Sequence, residues 1–373
     1  MSDVVETFEV AIDDAVFDDL RQRIERTRWP IQPDGLGWEH GGDVGYLREL
    51  CEHWASAYDP RRLEQILNRF ENRRAGGLHF IHEHAPRSDG GQALLLIHGW
   101  PGGPHEFSKL IPRLTAAGHD VIVPSLPGYG FSDQPAIPLN VAGMAERLRV
   151  LMVETLGYER FAVQGGDWGS IIGARIAFDT PTEVAALHLN TPGVLPLAGD
   201  LSDPPLTEAE QQFASAAARW RHREGFHLLT QGAAPDALAP GLNDSPAGLA
   251  AWLVDKYRRW SDCGGEIERR FSKDDVCDFL TAYWATQTIA SSMRLYATEA
   301  RNRWRLETGE RIEVPCAIAD FPAEILRPPR AWSERVLADL RRWTEFDRGG
   351  HFAAFEEPEL LAEDLIEFLA GLA

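Results

Sequence analysis

The feature that most constrains this chain is a sharp turn between an apolar run and a helix rich in small residues. The run Phe161-Ala162-Val163-Gln164 ends at Gly165-Gly166-Asp167-Trp168-Gly169, and residues 170–178 follow with a helical pattern. Continuous apolar runs are typical of strands buried on both faces, and glycine permits close backbone approaches that other residues block. The stretch therefore predicts a strand, a tight turn and a helix, with Asp167 at the turn.

A turn of this shape can hold a nucleophile. In the nucleophile elbow of α/β-hydrolases, small residues stand two positions before and after the nucleophile, because strand and helix cross closely there. Gly165 and Gly169 occupy those positions around Asp167, and no Gly-x-Ser-x-Gly occurs in the chain. A carboxylate is already an anion, so it attacks an electrophilic carbon without a base and forms an ester. The alternative is an ordinary turn in which Asp167 caps the helix.

Composition excludes several classes of function. The chain has 373 residues and a formal net charge of −20, which disfavours nucleic acid as a partner. Its four cysteines lack Cys-x-x-Cys spacing, so we expect neither a disulfide scaffold nor a metal site. No signal segment or apolar run long enough to cross a membrane is evident. A cytoplasmic protein with no membrane anchor is the expectation.

Four regions are predicted along the chain. Residues 1–75 carry three amphipathic segments and are expected to form an N-terminal helical meander. Residues 76–193 and 306–373 hold apolar runs that predict the two parts of an α/β-hydrolase core, with a mostly parallel central sheet and helices on both faces. Between them, residues 194–305 change to helices and loops, which predicts an inserted helical lid.

The predicted lid is rich in aromatic side chains, with five of the twelve tryptophans of the chain. Together these rings indicate an apolar cavity able to hold an aryl or bulky alkyl substrate. For each single ring, packing of the lid against the core is the alternative.

Two loops beyond predicted strands complete a candidate catalytic group. Trp100 follows the apolar run at 93–97, where hydrolases of this fold supply one oxyanion-hole amide. Its backbone N–H is expected to act with that of Trp168 on the carboxylate of Asp167. His351 follows two glycines after the last predicted strand, where this fold places its general base. In this fold the nucleophile comes first along the chain, the acid second and the histidine last, and the positions of Asp167 and His351 agree with that order.

Several motifs occur together in order along the chain. They are His98-Gly99-Trp100-Pro101, Gly165-Gly166-Asp167-Trp168-Gly169-Ser170, Leu242-Asn243-Asp244-Ser245-Pro246 and Arg348-Gly349-Gly350-His351-Phe352. In combination they resemble the microsomal-type epoxide hydrolases of the α/β-hydrolase superfamily. The resemblance also covers the leader, at Arg26-Thr27-Arg28-Trp29-Pro30 and Leu67-Asn68-Arg69-Phe70.

The resemblance implies a two-step hydrolysis of a small-molecule epoxide by water, without cofactor or metal. Asp167 would open the ring and form an ester, and His351 would activate the water that releases a vicinal diol. For the acid that orients the histidine, Phe321-Pro322-Ala323-Glu324 resembles the family motif that carries it. Glu324 is therefore expected, with Asp320 as the alternative.

The resemblance also implies two lid tyrosines that donate to the ring oxygen. Tyr296 stands in a segment similar to the one that bears one of them. The other is replaced by Phe226 or His227, depending on the alignment. Histidine can donate a hydrogen bond and phenylalanine cannot. These two residues and Trp220 are expected to contact the substrate.

Other functions compete with epoxide hydrolysis. A haloalkane-type dehalogenase would use the same aspartate, and a ligand-binding protein without turnover could use the same fold. Tyr296 and the resemblance along the whole chain favour an epoxide hydrolase with a role in detoxification or secondary metabolism. The sequence identifies neither the epoxide nor the ring carbon attacked, and it leaves open whether the chain forms a homodimer.

Overall fold

The computed structural model describes residues 4–86, 91–195 and 204–372. The strands of these residues are β1 (Glu6–Thr7), β2 (Asn72–Ala75), β3 (Leu78–Glu83), β4 (Ala93–Ile97), β5 (Val121–Pro124), β6 (Phe161–Gly165), β7 (Val184–Leu189), β8 (Ile312–Asp320) and β9 (Leu337–Glu345). The helices are α1 (Asp14–Glu25), α2 (Val44–Ser56), α3 (Arg62–Leu67), α4 (Ile111–Ala116), α5 (Val141–Val150), α6 (Trp168–Asp179), α7 (Glu208–Arg223), α8 (Phe226–Ala233), α9 (Pro235–Asp244), α10 (Pro246–Trp260), α11 (Lys273–Thr286), α12 (Ile289–Arg301), α13 (Arg330–Glu334), α14 (Ala353–Glu356) and α15 (Pro358–Ala370).

All these strands form one sheet, in the order β1-β2-β3-β5-β4-β6-β7-β8-β9. The six strands from β5 to β9 in this order run parallel, and β1, β2 and β3 pair antiparallel at one side. β4, β5, β6 and β7 are buried along their whole length, which their continuous apolar sequences explain. The predicted α/β fold with a mostly parallel sheet is confirmed. The carboxyl ends of the parallel strands meet at one edge, where the site lies.

Two parts of the sheet differ from the sequence prediction. β1 and β2 come from the N-terminal region, which was expected to be helical throughout. The sequence of β2, Asn-Arg-Arg-Ala, has no apolar alternation, because β2 lies near the edge and only its end residues are buried. The sequence pattern predicts the last strand only over Trp343-Thr344-Glu345-Phe346, whereas β9 begins six residues earlier, at Leu337. Its middle residues are half-buried or exposed, since β9 is the outermost strand on that side.

The N-terminal helices brace the helices between β7 and β8. α2 packs against α10 and α11. Trp54 on α2 donates from Nε1 to Oγ1 of Thr281 at 2.9 Å. Tyr58 donates to Asp278 at 2.8 Å, and both side chains are buried. These bonds fix α11, whose neighbour α12 carries a residue of the candidate site.

Residues 196–203, near the predicted start of the lid, lie outside the described ranges. From Glu208 to Arg301 the chain consists of helices α7 to α12 and short connections. Within the described ranges, none of the helices has the length and apolar character needed to cross a membrane. The four cysteines are buried free thiols.

Candidate active site

Asp167 lies at the turn between β6 and α6, with a left-handed φ of +50°. This conformation is costly for residues other than glycine and persists only where the surroundings enforce it. A Cβ on Gly169 would lie 2.0 Å from the carbonyl oxygen of Ile97, and one on Gly165 would lie 2.4 Å from that of Gly169. The Asp167 side chain makes no capping hydrogen bond with the described helix α6. This is the geometry of a nucleophile elbow and not of a helix cap.

Backbone amides hold the Asp167 carboxylate. The N–H of Trp100 donates to Oδ1 at 2.8 Å. Burial raises the pKa of Asp167, but the hydrogen bond with His351 and the amides of Trp100 and Trp168 outweigh it and keep the pKa below its usual value. The carboxylate is therefore ionised at neutral pH, with one oxygen fixed and the other facing His351.

His351 lies on the loop after β9 and is buried between two carboxylates. Its Nδ1 is 3.0 Å from both oxygens of Glu324, and its Nε2 is 3.6 Å from Oδ2 of Asp167. Burial lowers the pKa of His351, but the charges and hydrogen bonds of Glu324 and Asp167 outweigh it and raise the pKa to about 10. The ring is thus an imidazolium in this state, with one nitrogen oriented by Glu324 and the other facing the nucleophile.

Glu324 is itself held in place on the loop after β8. Thr191 donates from Oγ1 to one carboxylate oxygen at 3.1 Å, and the N–H of Ile325 donates to the other at 2.7 Å. Asp320, the alternative orienting acid, instead accepts two hydrogen bonds from Arg327 at 2.7 and 2.8 Å. The structure therefore brings Glu324, and not Asp320, to the histidine.

Two lid residues with hydrogen-bonding groups face this catalytic group. The ring of Tyr296 on α12 lies edge-on to that of Trp168, with centroids 4.8 Å apart. His227 on α8 stacks on Trp100 at 5.9 Å and lies 6.0 Å from Tyr296. Burial raises the pKa of Tyr296 well above its usual value, so the hydroxyl keeps its proton. Burial also lowers the pKa of His227 to about 3, so that ring is neutral and retains one N–H donor.

A cavity of about 320 Å³ joins the catalytic and lid residues, and Trp220 is among the side chains that line it. Phe226 is not among them. Its side chain is 40% exposed, and its ring lies 3.7 Å from Nζ of Lys256. Successive residues of a helix point about 100° apart, so α8 directs only His227 of this pair into the cavity. Phe226 therefore does not line this cavity, and contact of either residue with a substrate stays a prediction.

Two polar residues beside Asp167 were missed by the sequence analysis. Glu106 and Asn190 border a second, much smaller cavity that also reaches Asp167 and His351. Asn190 could have been found, because it directly follows β7 at the carboxyl edge of the sheet, where ligands bind in parallel sheets. Glu106 stands out only as a carboxylate between His105 and Phe107 in a loop rich in glycine and proline.

Among the residues that the structure describes, no group of three or more histidine, cysteine, aspartate or glutamate side chains is placed to hold a metal ion. The site consists of an anion at a tight turn, two amide donors, a histidine between carboxylates and a neutral tyrosine. Such a group can form and then hydrolyse an ester.

Family models, related sequences and solved structures all relate this chain to the same group of proteins. Residues 5–107 match the family model described as the epoxide hydrolase N terminus, and residues 92–224 match that of the alpha/beta hydrolase fold. Epoxide hydrolase 1 of Sus scrofa is 34% identical over 406 residues, which cover 99% of this chain and 89% of that protein. The crystal structure of juvenile hormone epoxide hydrolase from the silkworm Bombyx mori is similar with a TM-score of 0.90 at 29% identity, covering 100% of this chain and 95% of that one. Aspergillus niger epoxide hydrolase is similar with a TM-score of 0.85 at 25% identity, covering 99% and 97%.

Proposed function

Because this chain belongs to the epoxide hydrolase family, we propose that its hydrolysis of epoxides proceeds through a covalent ester on Asp167. One observation carries the proposal. The ionised carboxylate of Asp167 borders the larger cavity, accepts a hydrogen bond from the amide of Trp100 and faces the ring of His351. An anion held in this way needs no further activation to attack carbon. Glu324 and Tyr296 take the supporting roles described next.

In the first step, Oδ2 of Asp167 attacks a ring carbon while Oδ1 stays bound to the amide of Trp100. The carbon–oxygen bond of the ring breaks, and its electron pair stays on the ring oxygen. Tyr296 donates its proton to this oxygen, since an alkoxide is more basic than a phenolate. His227 lines the same cavity, so its N–H can assist the donation. The product of this step is a hydroxyalkyl ester and a tyrosinate.

Ester formation changes the charge on His351. In the free enzyme, Asp167 helps to hold a proton on the ring. Once Asp167 becomes an ester, that negative charge is gone and the pKa of His351 falls. The ring gives up its proton, which restores the hydroxyl of Tyr296. His351 is then neutral, with Nδ1–H donated to Glu324 and Nε2 free to act as a base.

In the second step, Nε2 of His351 takes a proton from water, and the water oxygen bonds to the ester carbonyl carbon. The amides of Trp100 and Trp168 stabilise the oxyanion that forms on Oδ1. When this intermediate collapses, the bond between the Asp167 carboxyl carbon and Oδ2 breaks. Oδ2 leaves as one of the two hydroxyl oxygens of the diol and takes its proton from the imidazolium of His351. The vicinal diol leaves, and Asp167 retains one oxygen that came from water. The carboxyl proton that this oxygen still carries passes to Nε2 of His351, which restores the carboxylate and the imidazolium.

The walls of the larger cavity support an apolar substrate. Tryptophan and aliphatic side chains make up much of its lining, including Trp168, Ile171, Trp220, Leu228 and Trp304. Aromatic surfaces of this kind bind aryl or bulky alkyl groups through area burial and ring contacts. An aryl-substituted or bulky alkyl-substituted epoxide is the substrate class that we infer.

Isotope labelling tests the ester on Asp167. Several turnovers of styrene oxide in ¹⁸O-labelled water should place label in the Asp167 carboxyl, as read by peptide mass spectrometry. Asp167→Ala should abolish diol formation, whereas Asp179→Ala, a change of a partly exposed aspartate at the end of the same helix, should leave it intact. Label confined to the diol would contradict the proposal. Halide release from a matched chloroalkane without diol formation from the epoxide would favour the dehalogenase instead.

Substitution of the lid donors tests the role of Tyr296. Tyr296→Phe should slow ester formation by about 10²-fold, because the alkoxide then leaves without a proton donor at that position. His227→Phe should have a smaller effect, about tenfold, since Tyr296 remains. His227→Tyr serves as the matched control, because it keeps a donor in the cavity. Full ester formation by the Tyr296→Phe protein, measured by rapid quench, would rule out the donor role.

The cytoplasmic location remains a prediction. All four cysteines are unpaired and buried, as is usual for proteins of compartments where thiols stay reduced. Fractionation of the native host, with detection of this chain in the supernatant after removal of membranes, would test it.

A further inference from the structure

The larger cavity carries different charges in different parts of its lining. Asp167, Glu324 and His351 border it where the chemistry takes place, and these two carboxylates and one imidazolium leave a net negative charge. Its lining also includes two exposed arginines, Arg221 in the last turn of α7 and Arg303 just beyond α12. The cavity therefore has an anionic catalytic part and a cationic part, joined by apolar walls.

Helix α12 separates these two parts. Tyr296 lies beside the catalytic group, and the helix continues for five residues to Arg301. At 1.5 Å per residue this is about 7.5 Å along the helix axis. Glu299 lines the cavity on the way, and Arg303 follows the end of the helix. An epoxide ring at the nucleophile is therefore several carbon atoms away from the guanidinium of Arg303.

Neither arginine of the cavity has a carboxylate partner among the residues that the structure describes. No carboxylate oxygen of these residues lies within 4.0 Å of a nitrogen of Arg221 or Arg303. Arg294 on α12, by contrast, binds Asp236 at 3.0 Å. In a chain with a formal net charge of −20, two such arginines beside one cavity are available to bind an anion that enters it.

Helix ends explain only some of the basic residues near this place. The C-terminus of a helix carries a partial negative charge, which stabilises a cation in the last turn. This accounts for Arg223 and Arg301, the last residues of α7 and α12. It does not account for Arg303, which lies beyond the last turn of α12 and lines the cavity.

The charge of Arg303 is incompletely compensated. Although the residue is exposed, the atoms around its guanidinium remove water and lower its pKa, and the charges of Arg221 and Arg305 lower it further. Glu299 opposes this effect, but its carboxylate already accepts hydrogen bonds from two backbone N–H groups at 2.9 and 3.2 Å. A second anion between the guanidinium groups would relieve the repulsion between them.

We propose that Arg221 and Arg303 bind an anionic group of the substrate, so that the preferred epoxides carry a carboxylate separated from the ring by an apolar chain or an aryl group. This rests on the proposed function and adds the chemistry of the other end of the substrate. Asp167 repels the carboxylate and the two guanidinium groups attract it. The charges thus turn the epoxide ring toward the nucleophile, while the aromatic walls bind the apolar middle.

A binding measurement that needs no turnover tests the cationic part of the cavity. By calorimetry, octanoate should bind the wild-type protein about tenfold more tightly than octanamide, which has the same shape and no charge. Arg221→Gln combined with Arg303→Gln should remove this difference, whereas Arg303→Lys should keep most of it because the charge remains. Arg160→Gln removes an exposed charge at the opposite edge of the sheet, before β6, and should leave the difference unchanged.

Turnover then shows whether the anion is bound together with the epoxide. For the ω-epoxide of octenoic acid, kcat/KM should exceed that of its methyl ester about tenfold, mainly through a lower KM, because the arginines bind ground state and transition state alike. The double variant should lower this ratio to about one, and Arg303→Glu should reverse it. The ratio cancels effects on folding and chemistry that both substrates share.

Three results would contradict different statements. Equal binding of octanoate and octanamide by the wild-type protein, or an acid-to-ester ratio that survives the double substitution, would overturn the anion site. Loss of binding to vesicles of anionic lipid by the double variant, with the ratio unchanged, would overturn it in favour of a membrane surface. Absence of diol from acid, ester and styrene oxide alike, with the preference for octanoate intact, would contradict the proposed function and support the anion site.

Discussion

Two buried histidine–carboxylate pairs in this protein have similar bond lengths and different surroundings. His351 meets Glu324 at 3.0 Å at the carboxyl edge of the sheet, and His188 on β7 meets Asp364 on α15 at 2.9 Å. All four side chains are almost completely buried. The second nitrogen of His351 faces Asp167, and these two residues line both cavities. The second nitrogen of His188 is buried without a hydrogen-bond partner among the described residues.

The difference shows that a histidine–carboxylate contact does not by itself make a base. Asp364 also accepts hydrogen bonds from Arg342 and Thr344, so its carboxylate stabilises the contact between α15 and β9. Apart from His351, Glu324 accepts hydrogen bonds from the Thr191 hydroxyl and the Ile325 N–H, which are both uncharged. Its charge is therefore available to orient the imidazole of His351. Catalytic capacity depends on what the free ring nitrogen can reach.

The largest expected contrast is between substitutions of the two histidines. His351→Gln should lower the rate of diol formation by about 10⁴-fold or more, because the water then loses the ring nitrogen that takes its proton. His188→Gln should leave kcat within about twofold, since its ring contacts neither cavity. Steady-state diol formation at a temperature well below both melting transitions measures this. An equal loss of kcat in both proteins would remove the distinction between the pairs.

Substitution of Glu324 should mainly lower activity, whereas substitution of Asp364 should mainly lower stability. Glu324→Gln should lower kcat by about 10²-fold or more, because the imidazole loses the acceptor that fixes its tautomer. Asp364→Asn should keep kcat and lower the free energy of unfolding by about 1–3 kcal/mol, because buried donors lose a charged acceptor. Urea unfolding with parallel rate measurements separates the two effects. A stable Asp364→Asn protein with lost activity would contradict this division.

A finer effect is expected in the pH dependence of stability. The pKa of His351 is raised from 6.5 to about 10, so its contribution is complete below pH 6.5 and is lost as the pH rises through about 10. For Asp364, burial opposes ionisation, but the hydrogen bonds from His188, Thr344 and Arg342 outweigh it and keep the pKa below 3.8. Its contribution is present above pH 3.8 and is lost as the pH falls further.

Unfolding curves across pH should therefore separate the pairs at opposite ends of the range. The stability gap between wild type and His351→Gln should close on the alkaline side. The gap between wild type and Asp364→Asn should close on the acidic side. Gaps that stay constant with pH would mean that neither ionisation is coupled to folding in this way.

Much of the fold follows from short segments of sequence. The apolar runs at β4 and β6 were predicted at their observed positions, because each is buried on both faces whatever its neighbours are. β1, β2 and the first half of β9 were not predicted, because these strands lie toward the edges of the sheet and carry polar residues. Local pattern indicates burial, and edge strands are only partly buried.

The sequence by itself determined the turn at Asp167, since Gly165 and Gly169 form one contiguous motif around it. The backbone that leaves no room for a side chain at Gly169 is that of Ile97, in a distant segment. It also determined the family, through motifs that are each contiguous in the chain. Only the tertiary structure decided that His227 and not Phe226 faces the cavity, and that Glu106 lies beside the catalytic pair. Both depend on how segments far apart in the chain pack together, and no local pattern records that packing.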